Sequence, residues 1–198
     1  MGKNDGVATS WTELLGFVTG IAAVWLAAQR SLWNWPVGIG NSVFFGVVFL
    51  DARLFADAAL QVIYLALGVF GWWTWIRLGR ASSTRDIGRA SRTTLALTSI
   101  GVVAAALVLE PILRSAGDSA PMLDAVTTAL SLGAQTLLSL KYLENWWLWI
   151  AADVIYVPLY ASRELYLTAA VYVVFLVICV RALPSWRAAS ALQPAPAT

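Results

Sequence analysis

Trp146, Trp149, Asp153, Tyr156 and Tyr160 recur at spacings of three and four residues. At about 100° per residue they fall in one stripe on a helix face, with Trp147 pointing the other way. Rings flanking a carboxylate suit a flat ligand, and the acid leaves room for a cationic one. An ionisable side chain near a bilayer centre costs about 2.5–3.5 kcal/mol on insertion scales, which makes Asp153 a functional candidate. The competing role for Asp153 is a protonated or hydroxyl-paired acid that ties helices together. For Trp146 and Trp149 the competitor is anchoring at the membrane interface, since both lie in the first two turns, and Trp147 reads as such an anchor.

The other polar side chains in apolar surroundings complete the candidate set. Asp57, Gln61, Tyr64, Gly68 and Trp75 share one face of the third apolar segment, and Thr168, Tyr172, Phe175 and Cys179 share one face of the last. Asn41, Gln135 and Asn145 lie on neighbouring segments. The amides and tyrosines could bond a ligand's hydroxyl and amide groups, or each other across helices for about 0.6 kcal/mol. Asp57 lies within a turn of its helix start, where an acid is unremarkable. With no histidine and one cysteine, imidazole catalysis, histidine-based metal sites and intramolecular disulfides are excluded. No nucleophile–base pair or metal spacing occurs in the apolar segments, so no enzyme and no cofactor is expected.

These side chains must be positioned by membrane-spanning helices. Apolar residues make up 60% of the chain, charged residues 12%, and mean hydropathy is +0.73. We read seven spans, about Trp11 to Gln29, Asn34 to Leu50, Leu54 to Leu78, Thr93 to Leu113, Met122 to Leu140, Asn145 to Ala161 and Leu165 to Leu183. Asn34-Trp35 and Asn145-Trp146 open two short spans, with each Asn read as an N-cap, and Pro158 should kink the sixth. No cleavable signal peptide is evident. Nine Lys and Arg residues fall on one side of the spans and four on the other. The positive-inside rule then puts the N-terminus outside and the C-terminus in the cytoplasm of a bacterial inner-membrane protein. A net charge of +2 does not suggest nucleic acid.

An internal repeat organises the spans. A shift of 111 residues pairs Asn34-Trp35 with Asn145-Trp146, and Leu54, Ala58, Ala59, Val62 and Leu65 with Leu165, Ala169, Ala170, Val173 and Leu176. Trp75 lands on Trp186. The copies differ where chemistry is expected: Gln135, Trp149 and Asp153 stand where repeat one has Val24, Gly38 and Ser42. One asymmetric site built from both copies follows. The expected fold is an all-α integral membrane protein of seven helices in a 3+1+3 parallel repeat like that of the SWEET sugar transporters. Residues 1–10 form an extracytoplasmic segment and 11–186 the transporter domain. Within it, 11–79 is repeat one, 93–113 the connector helix and 122–186 repeat two. Residues 187–198 read as a disordered cytoplasmic tail.

The sequence resembles the PnuC family of vitamin transporters from about Trp11 to Trp186. The resemblance rests on Asn34-Trp35, on 54–61 (LFADAALQ), on 71–75 (GWWTW), and above all on 144–149 (ENWWLW), which looks like the family's W-x-x-W element. It implies import of nicotinamide riboside or a related vitamin by facilitated diffusion, a homotrimer in the lipid bilayer, and trapping of the vitamin by a cytoplasmic kinase. On that reading Trp146 and Trp149 sandwich the pyridinium and Asp153 adds counter-charge. Gln61, Asn41 and Gln135 bond ribose and carboxamide, and Tyr64, Tyr156 and Tyr172 close the cavity. With no mid-membrane Lys or Arg, the mononucleotide's phosphate should be rejected. Riboflavin or thiamine would stack equally well, Asp57 and Asp153 leave proton coupling open, and a non-transporting sensor is the alternative of another class.

Overall fold

The structure is a computed structural model that describes residues 11–51, 55–81 and 87–191. These form seven α-helices: α1 (Trp11–Ala28), α2 (Asn34–Asp51), α3 (Phe55–Ala81), α4 (Arg92–Ser115), α5 (Pro121–Ser139), α6 (Asn145–Ser162) and α7 (Tyr166–Ala191). By length and composition Asp57–Leu78, Arg92–Ser115 and Tyr166–Ala191 can each cross a membrane alone. The 18 residues of α1, α2 and α6 reach only about 27 Å, just under a hydrocarbon core of about 30 Å. Leu97, Leu107 and Val62 are all more than 60% exposed, as expected of helices that turn apolar faces to lipid.

Six helices close into a ring. α1 packs on α2, α2 on α3, α3 on α5, α5 on α6, α6 on α7, and α7 back on α1. α4 lies outside the ring against α5 and buries none of its residues. Within the ring α2 and α6 do not approach each other, which leaves a central space between them. Small residues set the close approaches. A Cβ at Gly16 would run into the Phe45 ring, and one at Gly71 into the Trp35 indole.

The helices and turns repeat at the 111-residue interval seen in the sequence. Both ends of α2 and α6 differ by that interval, as do the starts of α3 and α7. Arg30 and Lys141, at the turns before α2 and α6, both have left-handed backbone, with φ of 59° and 61°. Asn34 Nδ2 donates to Ser31 O and Asn145 Nδ2 to Tyr142 O, each at 2.6 Å. The two asparagines are therefore not N-caps. They are first residues of their helices, and their amides donate backwards into the turn instead of accepting from the first-turn N–H groups.

Two features break the likeness. Gly88 N donates to Lys141 O and Leu143 N donates to Gly88 O, at 3.1 and 3.0 Å, so the segment after α3 straps the α5–α6 turn. Ala90 N adds a bond to Glu144 Oε2 at 2.9 Å. At the opposite end Arg163 binds Asp118 and Asp124, at 3.3 and 2.8 Å, joining the end of α6 to the start of α5. The Asp124 carboxylate raises the pKa of that guanidinium.

α7 runs on through Pro184 to Ala191, so residues 187–191, expected to begin the tail, are helical. The cause is Trp186, which is fully buried and holds the last turns against the ring. Residues 1–10 and 192–198 lie outside the described residues, as do 52–54 and 82–86. α6 likewise continues four residues past Pro158.

Candidate functional site

A floor of four tryptophans closes one end of the ring. Trp35 meets Trp75 edge-on at 5.3 Å between ring centroids, and Trp146 meets Trp186 in the same way at 5.3 Å. Trp75 and Trp186 touch in the middle at 6.3 Å. All four are buried, with at most 3% exposure. The two central indoles also cross-link the ring. Trp75 Nε1 donates to Leu138 O at the end of α5, and Trp186 Nε1 to Ala28 O at the end of α1, both at 3.0 Å. The Lys141 ammonium lies 4.7 Å from the Trp75 ring centroid, within cation–π reach.

Above this floor lies a cavity of about 460 Å³, within the usual range for small-molecule sites. Nine of the eleven residues singled out from the sequence line it: Asn41, Gln61, Tyr64, Gln135, Trp146, Trp149, Asp153, Tyr156 and Tyr172. Asn145 and Asp57 do not. Asn145 is committed to its turn, and Asp57 is exposed in the first turn of α3.

The lining residues differ in how free they are. Asn41 Nδ2 already donates to Gly16 O at 3.0 Å and to Thr19 Oγ1 at 2.7 Å, so it ties α2 to α1 and offers chiefly its carbonyl. Trp146 serves the floor more than the wall, since its edge is against Trp186. Trp149 is only partly buried and stands beside that cluster. Asp153 is 2% exposed, and its hydrogen-bond partner is the Cys179 thiol, 3.7 Å from Oδ2. Among the described residues no Lys or Arg pairs with it, and none lines the cavity. A buried carboxylate left in this state favours a ligand that brings its own positive charge.

Tyr160 stacks on Tyr156 and Tyr172 at 5.5 and 5.2 Å between centroids, Tyr156 lies tilted against Tyr172 at 4.4 Å, and Phe175 meets Tyr172 edge-on at 5.4 Å. This aromatic wall occupies the part of α6 and α7 away from the tryptophan floor. Tyr160, Phe175 and Cys179, which share the helix faces read from the sequence, also line the cavity, and so do Trp35, Ser42 and Ser131, which were not among the expected site residues. Two carried a usable signal. Ser131 precedes Gln135 by one helical turn, and Ser42 is the repeat partner of Asp153.

Comparison with known proteins agrees with this architecture. Residues 10–188 match the family described as "Nicotinamide mononucleotide transporter". The nicotinamide riboside transporter PnuC of Escherichia coli (strain K12) is 26% identical over 207 residues, covering 91% of this chain and 87% of that protein. The riboflavin/roseoflavin transporter RibM of Streptomyces davaonensis is 27% identical over 183 residues, covering 89% and 84%. A crystal structure of the vitamin B3 transporter PnuC superposes with a TM-score of 0.74 at 23% identity, covering 96% of this chain and 86% of that one. That superposition shares the fold, and the family match runs from α1 into α7 and includes every residue that lines the cavity. The chain thus belongs to the nicotinamide mononucleotide transporter family, a family of membrane vitamin transporters that includes PnuC.

Proposed function

We propose that this protein imports nicotinamide riboside. The observation that carries the reading is the buried carboxylate of Asp153, which has a thiol partner but no Lys or Arg partner among the described residues, one helical turn from Trp149 in the central cavity. Nicotinamide riboside is a flat pyridinium with a fixed positive charge, an amide and ribose hydroxyls. Stacking on an indole contributes about 1–3 kcal/mol by analogy with bases, and a cation–π interaction about 0.5–2 kcal/mol. Gln61 and Gln135 line the cavity as hydrogen-bonding partners for the sugar and the carboxamide, and Tyr64, Tyr156 and Tyr172 wall it. The family description names the mononucleotide, yet among the described residues no Lys or Arg lines the cavity to meet a phosphate. We expect the nucleoside to be carried and the mononucleotide refused.

Transport is by facilitated diffusion, with cytoplasmic phosphorylation by a kinase trapping the vitamin. Support comes from the separation of the two acids: Asp153 lines the cavity and Asp57 is exposed outside it. The moving parts are the triplets α1–α3 and α5–α7, read as a 3+1+3 parallel repeat with α4 as connector. The matched turns, the mirrored tryptophan pairs and the ring order support this reading. The tryptophan end faces the cytoplasm, as the placement of Arg30, Lys141 and Arg187 suggests. The proposed assembly is a homotrimer, which leaves α4 free to meet a neighbour or lipid.

Riboflavin uptake is the second reading, favoured by the similarity to RibM. Calorimetric binding of nicotinamide riboside, riboflavin and thiamine to detergent-purified protein separates the readings. Nicotinamide riboside should bind tightest. A first rank for riboflavin or thiamine would overturn the substrate and leave the fold intact.

A further inference from the structure

Four glycines line the cavity: Gly16, Gly20, Gly38 and Gly68. Each could be there for helix packing or for ligand space, and the surroundings of a hypothetical Cβ tell which. At Gly16 it would strike Phe45, and at Gly68 it would lie 3.0 Å from Ile39 Cγ1, so these two serve packing within the first three helices. At Gly20 it would rest on Phe175 Cζ at 3.5 Å. At Gly38 the nearest atom is Ala23 Cβ at 4.0 Å. Packing does not require a glycine there, and in a helix interior glycine is less favourable than alanine. The space that a side chain would fill belongs to the cavity.

Residue 38 also has a particular place in the fold. The residue 111 positions on is Trp149 in α6, and α2 and α6 face the cavity without approaching each other. One helix therefore presents an indole where its counterpart presents bare backbone. One turn further along, Ser42 and Asp153 repeat the pattern, with the smaller side chain again on α2. At these two positions the second triplet supplies the larger functional side chain and the first supplies the room.

We propose that Gly38 is a specificity-determining residue: its bare backbone is the wall that accommodates the ring of a flat ligand held by Trp149, and it sets the largest ring system the cavity admits. The proposal rests on the vitamin-transport reading above. The ligand class is a flat heteroaromatic nucleoside or ribityl compound, and a side chain at 38 excludes the tricyclic ring before the single one.

The test compares Gly38→Ala and Gly38→Leu with Gly40→Leu. Gly40 is on the same helix, is exposed, does not line the cavity, and has no atom within 4 Å of a Cβ placed there. Binding of nicotinamide riboside and riboflavin to the purified full chain is measured by calorimetry, alongside the melting temperature. Gly38→Leu should weaken every ligand that the unsubstituted protein binds by at least tenfold, and Gly38→Ala should weaken riboflavin more than nicotinamide riboside. Gly40→Leu should bind like the unsubstituted protein, and the melting temperatures of the two leucine variants should agree. Unchanged binding by Gly38→Leu overturns the proposal alone, as does equal loss in Gly40→Leu. Failure of the unsubstituted protein to bind either vitamin or thiamine overturns the transport reading and this proposal with it.

Discussion

Replacing Trp75 with phenylalanine tests whether the tryptophan floor is a gate between the two triplets. The indole donates one hydrogen bond across the ring, to Leu138 O. That carbonyl also accepts from Lys141 N at 2.9 Å, so Trp75→Phe leaves no orphaned acceptor. The loss is the net value of one bond, about 0.5–1.5 kcal/mol. To this is added part of a cation–π interaction with Lys141 of about 0.5–2 kcal/mol, since a phenyl face attracts a cation less than an indole. A total of about 1.5 kcal/mol follows. If these contacts must break for the floor to open, the open state becomes about tenfold more populated, at 1.4 kcal/mol per factor of ten. Cys179 is the only cysteine in the chain, lines the cavity, and is 2% exposed, so it reports that opening. A charged maleimide applied to one side of membrane vesicles and then the other should label Trp75→Phe about tenfold faster from the cytoplasmic side alone. Trp186→Phe should do the same, through its bond to Ala28 O. A lowered melting temperature with unchanged labelling would refute the gate and leave the tryptophans as packing.

Three further substitutions probe the site and the ring. Asp153→Asn keeps the shape and removes the charge, and should weaken nicotinamide riboside by about tenfold to a hundredfold, the 1.5–3 kcal/mol range for bonds to charged groups. Calorimetry should show a much smaller change for neutral riboflavin; equal losses would mean that the carboxylate is structural. Gly71→Ala pushes a methyl into the buried Trp35 indole and should cost about 1–3 kcal/mol. Thermal melting should fall by about 2–4 °C per kcal/mol. Arg163→Gln removes two partly exposed ion pairs and should cost less than about 1 kcal/mol, leaving binding unchanged.

Much of the fold was legible because apolar runs and their breaks are local properties. All seven helices start and stop within a few residues of the expected spans, except at the end of α7. That exception is instructive: Ala-rich residues after Arg187 look like a loose tail until Trp186 is known to be buried against α1. Site legibility followed the same divide. Helical spacing brought nine of the eleven candidates to one cavity, because a stripe on one helix is a fact about sequence. It could not separate Asn41, whose amide is spent on Gly16 and Thr19, from Gln61 and Gln135. Helical spacing alone also left Trp146, whose edge meets Trp186, together with Trp149, although the repeat pairs the first with Trp35 and the second with Gly38. Those distinctions depend on contacts between residues far apart in the chain.

The proposed duplication explains why Asn145-Trp146 serves the architecture and is not the centre of the chemistry. A feature present in both copies has to serve something both copies need, and the shared need is a turn and a floor. Each asparagine clamps its turn through the same 2.6 Å bond, and each following tryptophan meets its partner at the same 5.3 Å. A single ligand in the middle of a pseudo-symmetric ring cannot contact both copies identically unless it is itself symmetric. Departures from the repeat favour one orientation of an asymmetric vitamin over the other, and those departures are where the site should be sought. Trp149 against Gly38 and Asp153 against Ser42 are such departures, and all four residues line the cavity.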